Sequence, residues 1–377
     1  MSIDTRTVFT YLGAIGTIAA VVLILVTEQP AAPVGEEAVD TAQVANVAST
    51  YEPTSPELAA SNIPTQENAP PPPSEPSQKM ASVRRIQNPY NSPPLSARTV
   101  IARTRAALVN ILCITDNAPL QTISGSGVII DPRGIILTNA HVGQYVLLAQ
   151  SGRTSLSCTI RTGAPAEPRW HAEVLYIPPT WIREHAKDIT KAVQTGTGEH
   201  DYALLLITDL SAQSAPPASF PYLPVDTREG IGFPTDTVLV ASYPSEFAGP
   251  QVTQFNLNPA TSLTSAKELL TFSTDTVDLL SVGGVPAAQS GSSGGAIVNM
   301  WGYLIGIITT TSEGPTTADR ELRALTLSYI NRDLRTQTGL NLAELLAEDP
   351  AALAAHYRAN LAPPLTNLLI DQIANTP

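Results

Sequence analysis

Between residues 100 and 330 the chain alternates short apolar, β-branched runs with clusters of Gly, Pro, Asn, Asp and Ser. Runs of that length bounded by turn formers predict strands. The stretch from Ala102 to Thr115 is the first ordered segment, and Val109-Asn110-Ile111-Leu112-Cys113-Ile114 within it reads as a strand. Val128-Ile129-Ile130 and Ile135-Ile136-Leu137-Thr138, separated by Asp131-Pro132-Arg133-Gly134, predict a hairpin. Further strands are expected over residues 145–149, 156–159, 170–177, 202–207, 237–241, 249–256 and 268–273. A second hairpin is expected from 296–299 and 303–311.

Helical spacing takes over at 178–193, with Trp181, Ile182, His185 and Ile189 near one face, and again at 325–334. A last helical stretch, 340–358, is interrupted near Asp349-Pro350, and Pro363-Pro364 sets off a short apolar tail. Many short strands with Gly/Pro-rich turns predict closed or sandwiched antiparallel sheets rather than alternating strand and helix.

The amino-terminal pattern is different. Residues 8–27 carry no charge and consist mostly of Val, Ile, Leu, Ala and Gly. At 1.5 Å per residue such a helix spans about 30 Å, a bilayer's hydrocarbon core. The expectation is an uncleaved transmembrane anchor (1–27), with the remainder outside the cytoplasm; a cleaved signal peptide is its main rival. Residues 28–98 hold thirteen prolines, including Pro70 to Pro73, and predict an extended, disordered tether.

Composition narrows the chemistry. A formal charge of -12 over 377 residues does not invite a polyanion, which sets nucleic acid aside. Two cysteines, Cys113 and Cys158, exclude a disulfide scaffold and a cysteine-built zinc site. Both lie in strand-like runs, so one disulfide and two buried thiols are equally open. The five histidines form no pair at metal-binding helical spacing, so no metal site is expected.

Ser290-Gly291-Ser292-Ser293-Gly294-Gly295 has the small residues needed for a tight turn that presents a hydroxyl beside backbone N–H donors. Ser293 is the candidate nucleophile, with the amides of Gly291 and Ser293 as the candidate oxyanion hole. A serine nucleophile needs an imidazole base, and the imidazole needs a carboxylate to fix its tautomer. His141 directly follows one predicted strand and Asp201 opens another, so the order is His, Asp, Ser, separated by 60 and 92 residues.

In that order the blocks become specific. Leu137-Thr138-Asn139-Ala140-His141-Val142 with Gly125-Ser126-Gly127-Val128-Ile129 resembles the histidine block of trypsin-like serine proteases, most closely the bacterial HtrA/Deg-type branch. His200-Asp201-Tyr202-Ala203-Leu204-Leu205 resembles the aspartate block, and Gly291-Ser292-Ser293-Gly294-Gly295 the nucleophile block. The resemblance covers roughly residues 100 to 330. It implies an all-β protease domain, 99–335, of two six-stranded antiparallel barrels with the site between them; the helical spacing beyond it makes 336–377 a helical extension. It also implies a serine endopeptidase acting on proteins or peptides without a cofactor, and the amino-terminal span would tether it to the membrane.

By the same resemblance, residues 306–311, with Thr309, Thr310 and Thr311, form the strand that pairs with substrate and lines the primary pocket. Ala287, six residues before Ser293, stands where a tryptic enzyme has its acidic residue. A Lys or Arg side chain there would bury an unpaired charge, so small or medium aliphatic P1 residues are expected. No PDZ domain is recognisable after the protease. Monomer and homo-oligomer are both open, and a catalytically silent member serving as an envelope binding module is the alternative function.

Overall fold

The computed structural model describes residues 79–80, 83–116, 119–191, 197–209, 216–245, 249–272, 275–285, 291–311 and 322–376. The expected membrane span, most of the expected tether and Ala287 lie outside these residues. No described helix is long and apolar enough to cross a membrane. Strand β1 (Lys79–Met80) and helix α1 (Ala97–Ala107) lead into β2 (Leu108–Thr115), β3 (Ile123–Asp131) and β4 (Ile135–Thr138). Helix α2 (Ala140–Gln150), β5 (Leu156–Thr162), β6 (Glu167–Tyr176), α3 (Pro179–His185) and β7 (Ala203–Thr208) complete the first half. The second half runs β8 (Thr237–Ser242), α4 (Gly249–Phe255), β9 (Ala260–Ser265), β10 (Glu268–Thr271), β11 (Leu279–Ser281), β12 (Ala296–Asn299), β13 (Leu304–Thr311) and β14 (Leu322–Thr326). It ends with α5 (Leu327–Thr338), α6 (Leu342–Ala347), α7 (Pro350–Asn360) and α8 (Ala362–Ala374).

The expected hairpin around Asp131-Pro132-Arg133-Gly134 forms, and its strands join a closed antiparallel barrel in the order β2-β3-β4-β7-β6-β5. Its core is β-branched and aliphatic: Val109, Ile111, Val128, Ile136, Leu137, Ile160, Leu204 and Leu205 are all essentially removed from solvent. Cys113 and Cys158 are direct partners across β2 and β5 and form a disulfide, which resolves the two readings of these thiols.

The second sheet departs from the expected six-stranded barrel. It has eight strands in the open order β1-β10-β11-β14-β13-β12-β8-β9. The reason is a break at Ala266-Lys267. The N–H of Ala266 donates to Asp236 O and that of Lys267 to Ser281 O. At that point the chain stops pairing with β8 and starts pairing with β11. One strand position is thus divided into β9 and β10, and covalent continuity rather than a ladder joins them. Strand β1 then covers the edge of β10.

One helix is unforeseen and two local expectations are corrected. Residues 97–107 are helical because Ser96 caps Thr99 N–H and Val100, Thr104 and Ala107 recur on one buried face. Residues 145–149 belong to α2, a helix buried from Val142 to Leu148, so its sequence has no polar stripe to reveal the helical period. Residues 249–255 also form a helix, α4, where a strand is expected.

Residues 83–98, expected to belong to a disordered tether, instead lie on the second sheet. Ile86 N–H donates to Gly230 O, Arg85 pairs with Asp236, and Leu95 N–H donates to Met300 O. Tyr90 stacks on Tyr303 at 4.5 Å and donates from its hydroxyl to Asp226. These bonds satisfy a proline-rich backbone without regular secondary structure.

The carboxyl-terminal helices pack on the first barrel. Leu342, Leu345, Ala354, Tyr357, Leu365 and Leu369 share its buried core, and Arg358 pairs with Glu173 of β6. The pair Pro363-Pro364 opens α8 rather than separating a tail, since proline is compatible with a helix's first turn.

Candidate active site

His141 stands in the first turn of α2, and Asp201 lies two residues before β7. Gly143 lets these elements approach: a Cβ on it would lie 2.7 Å from the Ala203 Cβ. Three bonds then fix the pair. Asn139 Nδ2 donates to Asp201 O at 2.8 Å, His141 N–H donates to Asp201 Oδ1 at 3.0 Å, and His141 Nδ1 lies 2.8 Å from Asp201 Oδ2.

The second sheet adds a fourth bond. Thr309 of β13 donates from Oγ1 to Asp201 Oδ2 at 2.8 Å. Asp201 is only 4 % exposed. Burial alone pushes its carboxyl up, but the charge of His141 and donors from the His141 ring, the His141 backbone and Thr309 outweigh it. The group stays below the ordinary carboxylate value, ionised at neutral pH.

Ser293 occupies a turn held by both sheets. Its carbonyl accepts from Ser126 N–H of β3 at 2.8 Å, Gly294 N–H donates to Ile308 O at 2.9 Å, and Ile308 N–H donates to Gly295 O at 2.8 Å. Gly294 has φ +81, and a Cβ there would lie 2.1 Å from Ser126 O. Only glycine fits. Ser126 also donates from Oγ to Gly291 O at 2.8 Å and accepts from Tyr243 N–H at 2.9 Å. Residue 308 therefore holds the serine turn through its backbone while residue 309 holds Asp201 through its side chain.

His141, Asp201, Gly291 and Ser293 are thus borne on neighbouring, hydrogen-bonded segments of the two sheets. Thr309 is 94 % buried at 6 % exposure, with its hydroxyl turned to Asp201. Thr310 and Thr311 continue β13 and pair with Arg323 and Leu322 of β14. Sequence reasoning misses the roles of Ser126, Asn139 and the Thr309 hydroxyl. The only trace is a small polar residue at a buried position beside a recognised block. His171, His185 and His356 lie elsewhere: His171 on Cys158 O, His185 stacked on Trp181, and His356 beside Asn360. Among the described residues no group of three or more His, Cys, Asp or Glu could hold a metal ion.

A closed antiparallel barrel, a second antiparallel sheet, a hydrogen-bonded His-Asp pair and a glycine-bounded serine turn tied to both sheets are consistent with a chymotrypsin-like peptidase architecture. Residues 125–307 match the family model of the trypsin-like peptidase domain. That domain goes with serine-peptidase function and protein substrates. No curated protein matches the chain.

Proposed function

We propose that the protein is a serine endopeptidase in which Ser293 attacks the scissile carbonyl, forming an acyl-enzyme. His141 takes the Ser293 proton as general base and returns it to the leaving amine as general acid. Asp201 holds the Nδ1–H tautomer and stabilises the imidazolium, and the N–H groups of Gly291 and Ser293 receive the oxyanion. Water then hydrolyses the acyl-enzyme through the same histidine. No cofactor takes part.

The observation that carries this reading is the His141–Asp201 pair, because Asp201 is buried with four donors arranged to keep it ionised and oriented. The side-chain oxygens take the ring, backbone and threonine donors, and the carbonyl takes Asn139. A buried carboxylate so satisfied is costly to build for packing alone.

The finer proposals are an HtrA/Deg-type enzyme favouring small or medium aliphatic P1 residues, anchored by residues 8–27 with its catalytic body outside the cytoplasm. The Cys113–Cys158 disulfide supports export, since such bonds persist in oxidising compartments. The absence of an acidic residue at position 287 supports the P1 preference.

The test is cleavage of casein by the full chain and by Ser293→Ala, with product ends read by mass spectrometry. Cleavage after Ala, Val, Leu or Ile that disappears in the variant is expected. Equal inactivity of two folded preparations would favour the silent binding module, and ends at Lys or Arg would overturn the pocket assignment.

A further inference from the structure

Asp201 is flanked by two residues that reach the same distant carboxylate. His200 Nδ1 lies 2.9 Å from Asp333 Oδ1, and Tyr202 donates from its hydroxyl to Asp333 Oδ2 at 2.9 Å. Asp333 belongs to α5, is 9 % exposed, and accepts a further bond on Oδ2 from Gln337 Nε2 at 2.7 Å. A second α5 residue, Tyr329, accepts the backbone N–H of His200 at 2.9 Å.

The backbone between these two anchors is tightly wound. Asp201 N–H donates to Gly198 O at 3.1 Å, and Tyr202 N–H donates to His200 O at 2.9 Å, a three-residue turn centred on Asp201. His200 itself has φ +59, a left-handed conformation that is strained for a non-glycine residue. Such a conformation persists only where surrounding bonds fix it, and here they come from Asp333 and Tyr329.

From this arrangement we infer that Asp333, through His200 and Tyr202, is the positioning residue that aims the Asp201 carboxylate at His141. The inference rests on the reading of Asp201 as the orienting carboxylate of a serine peptidase. It gives α5 a part in the chemistry without any contact with the reacting atoms. The two His-carboxylate pairs lie back to back: His200 and Tyr202 turn to α5, and Asp201 between them turns to α2. If the outer pair is loosened, the backbone at residue 201 is freed to rotate, and the bonds from His141 N–H and Nδ1 cannot both be kept. His200 also faces Glu199 on its own segment, at 3.9 Å, and Glu184 of α3, so Asp333 is the one carboxylate at hydrogen-bonding distance.

The experiment compares the full chain with Asp333→Asn and His200→Asn; asparagine tolerates left-handed backbone. Two readouts are taken: kcat and KM on an internally quenched peptide, and the downfield proton resonance of His141 Nδ1–H, assigned by its loss in His141→Ala. In folded Asp333→Asn, kcat should fall about ten-fold or more with KM within two-fold, and the His141 resonance should move or broaden. A role in packing alone predicts a lowered melting temperature with both readouts unchanged, and that result overturns the inference. Should Asp333→Asn fail to fold, His200→Asn carries the same two readouts and the same criteria. The resonance does not depend on turnover. An inactive wild-type protein whose His141 signal shifts in the variant would sink the peptidase reading and leave the positioning link standing; an unshifted signal sinks the link.

Discussion

Replacing Asp201 by Asn tests the hydrogen-bond logic of the site atom by atom. The carboxylate accepts His141 N–H on Oδ1, and His141 Nδ1–H with Thr309 Oγ–H on Oδ2. An amide has one oxygen and one NH2. With the oxygen toward the His141 backbone, the NH2 faces Nδ1 and Thr309, all partners are satisfied, and the ring must carry its proton on Nε2. With the oxygen toward Nδ1, the NH2 meets the backbone N–H donor at the 3.0 Å position, and two donors confront each other. Leaving that buried donor unmet costs about 1–3 kcal/mol, so the first arrangement prevails.

That arrangement is the unproductive one, because a ring protonated on Nε2 cannot take the serine's proton. Reaching the productive tautomer therefore costs that same amount, about 1–3 kcal/mol. Losing a charge-assisted bond to the imidazolium adds about 1–2 kcal/mol. At about 1.36 kcal/mol per decade, kcat falls roughly thirty- to five-thousand-fold. The assay is turnover of a quenched peptide by both proteins, with Ser293→Ala as the floor and melting temperature as the folding control. A folded Asp201→Asn enzyme that keeps more than about a tenth of wild-type kcat would refute the tautomer argument.

Other consequences are open to measurement. Because the Asp201 carboxyl is held below its ordinary value, its contribution to stability is full above the unfolded pKa and is lost as pH falls through the folded one. Thermal melts below pH 4 should therefore be less acid-sensitive in Asp201→Asn than in wild type. For His200 the sign is opposite: the hydrogen bond to Asp333 raises its pKa despite partial burial. Its contribution is full below about pH 6.5 and is lost as pH rises through the raised value. The melting temperature of His200→Asn should be flatter than wild type across that window. Gly294→Ala puts a Cβ 2.1 Å from Ser126 O at φ +81, and activity should drop to under a hundredth. Arg161 is wholly buried and donates to Asn110 Oδ1 and to the carbonyls of Thr253 and Gln254. Arg161→Met should cost about 2–4 kcal/mol in urea denaturation, by leaving those acceptors unmet.

What the sequence made legible was local. Turn chemistry at Asp131-Pro132-Arg133-Gly134 announces its hairpin, and His141, Asp201 and Ser293 each sit in a block whose neighbours explain their placement. Elements defined by distant partners were not legible. Helix α2 is buried nearly all round, so the periodic signal that separates helix from strand is absent from residues 142–148. Helix α4 carries Val252 and Phe255, β-formers by propensity, at 42 % and 70 % exposure. The division of β9 from β10 depends on Asp236 and Ser281 drawing adjacent N–H groups in different directions, which no window around Ala266 contains. The ordering of residues 83–98 depends on Tyr303, Asp226 and Gly230, more than a hundred residues away.

The same distinction explains why the Thr309 hydroxyl and Ser126 were missed although their blocks were recognised. The first barrel supplies His141 and Asp201, and the second sheet supplies the serine turn, so chemistry requires a fixed relation between the two. That relation is carried by few bonds. Thr309 crosses from β13 to Asp201, while Ser126 crosses from β3 to Gly291, Ser293 and Tyr243. Each is a short hydroxyl side chain at a buried strand position, where burial is tolerable only because its hydrogen bonds are made across the seam. Within its own strand such a residue reads as an unremarkable small polar interruption. Its role exists only at the junction, where Ser126 fixes the 291–292 and 293–294 peptide planes of the serine turn and Thr309 adds the donor that helps keep Asp201 ionised. The residues proposed to perform the chemistry are therefore written in local blocks, and the residues that make those blocks meet are written in the docking of the two sheets.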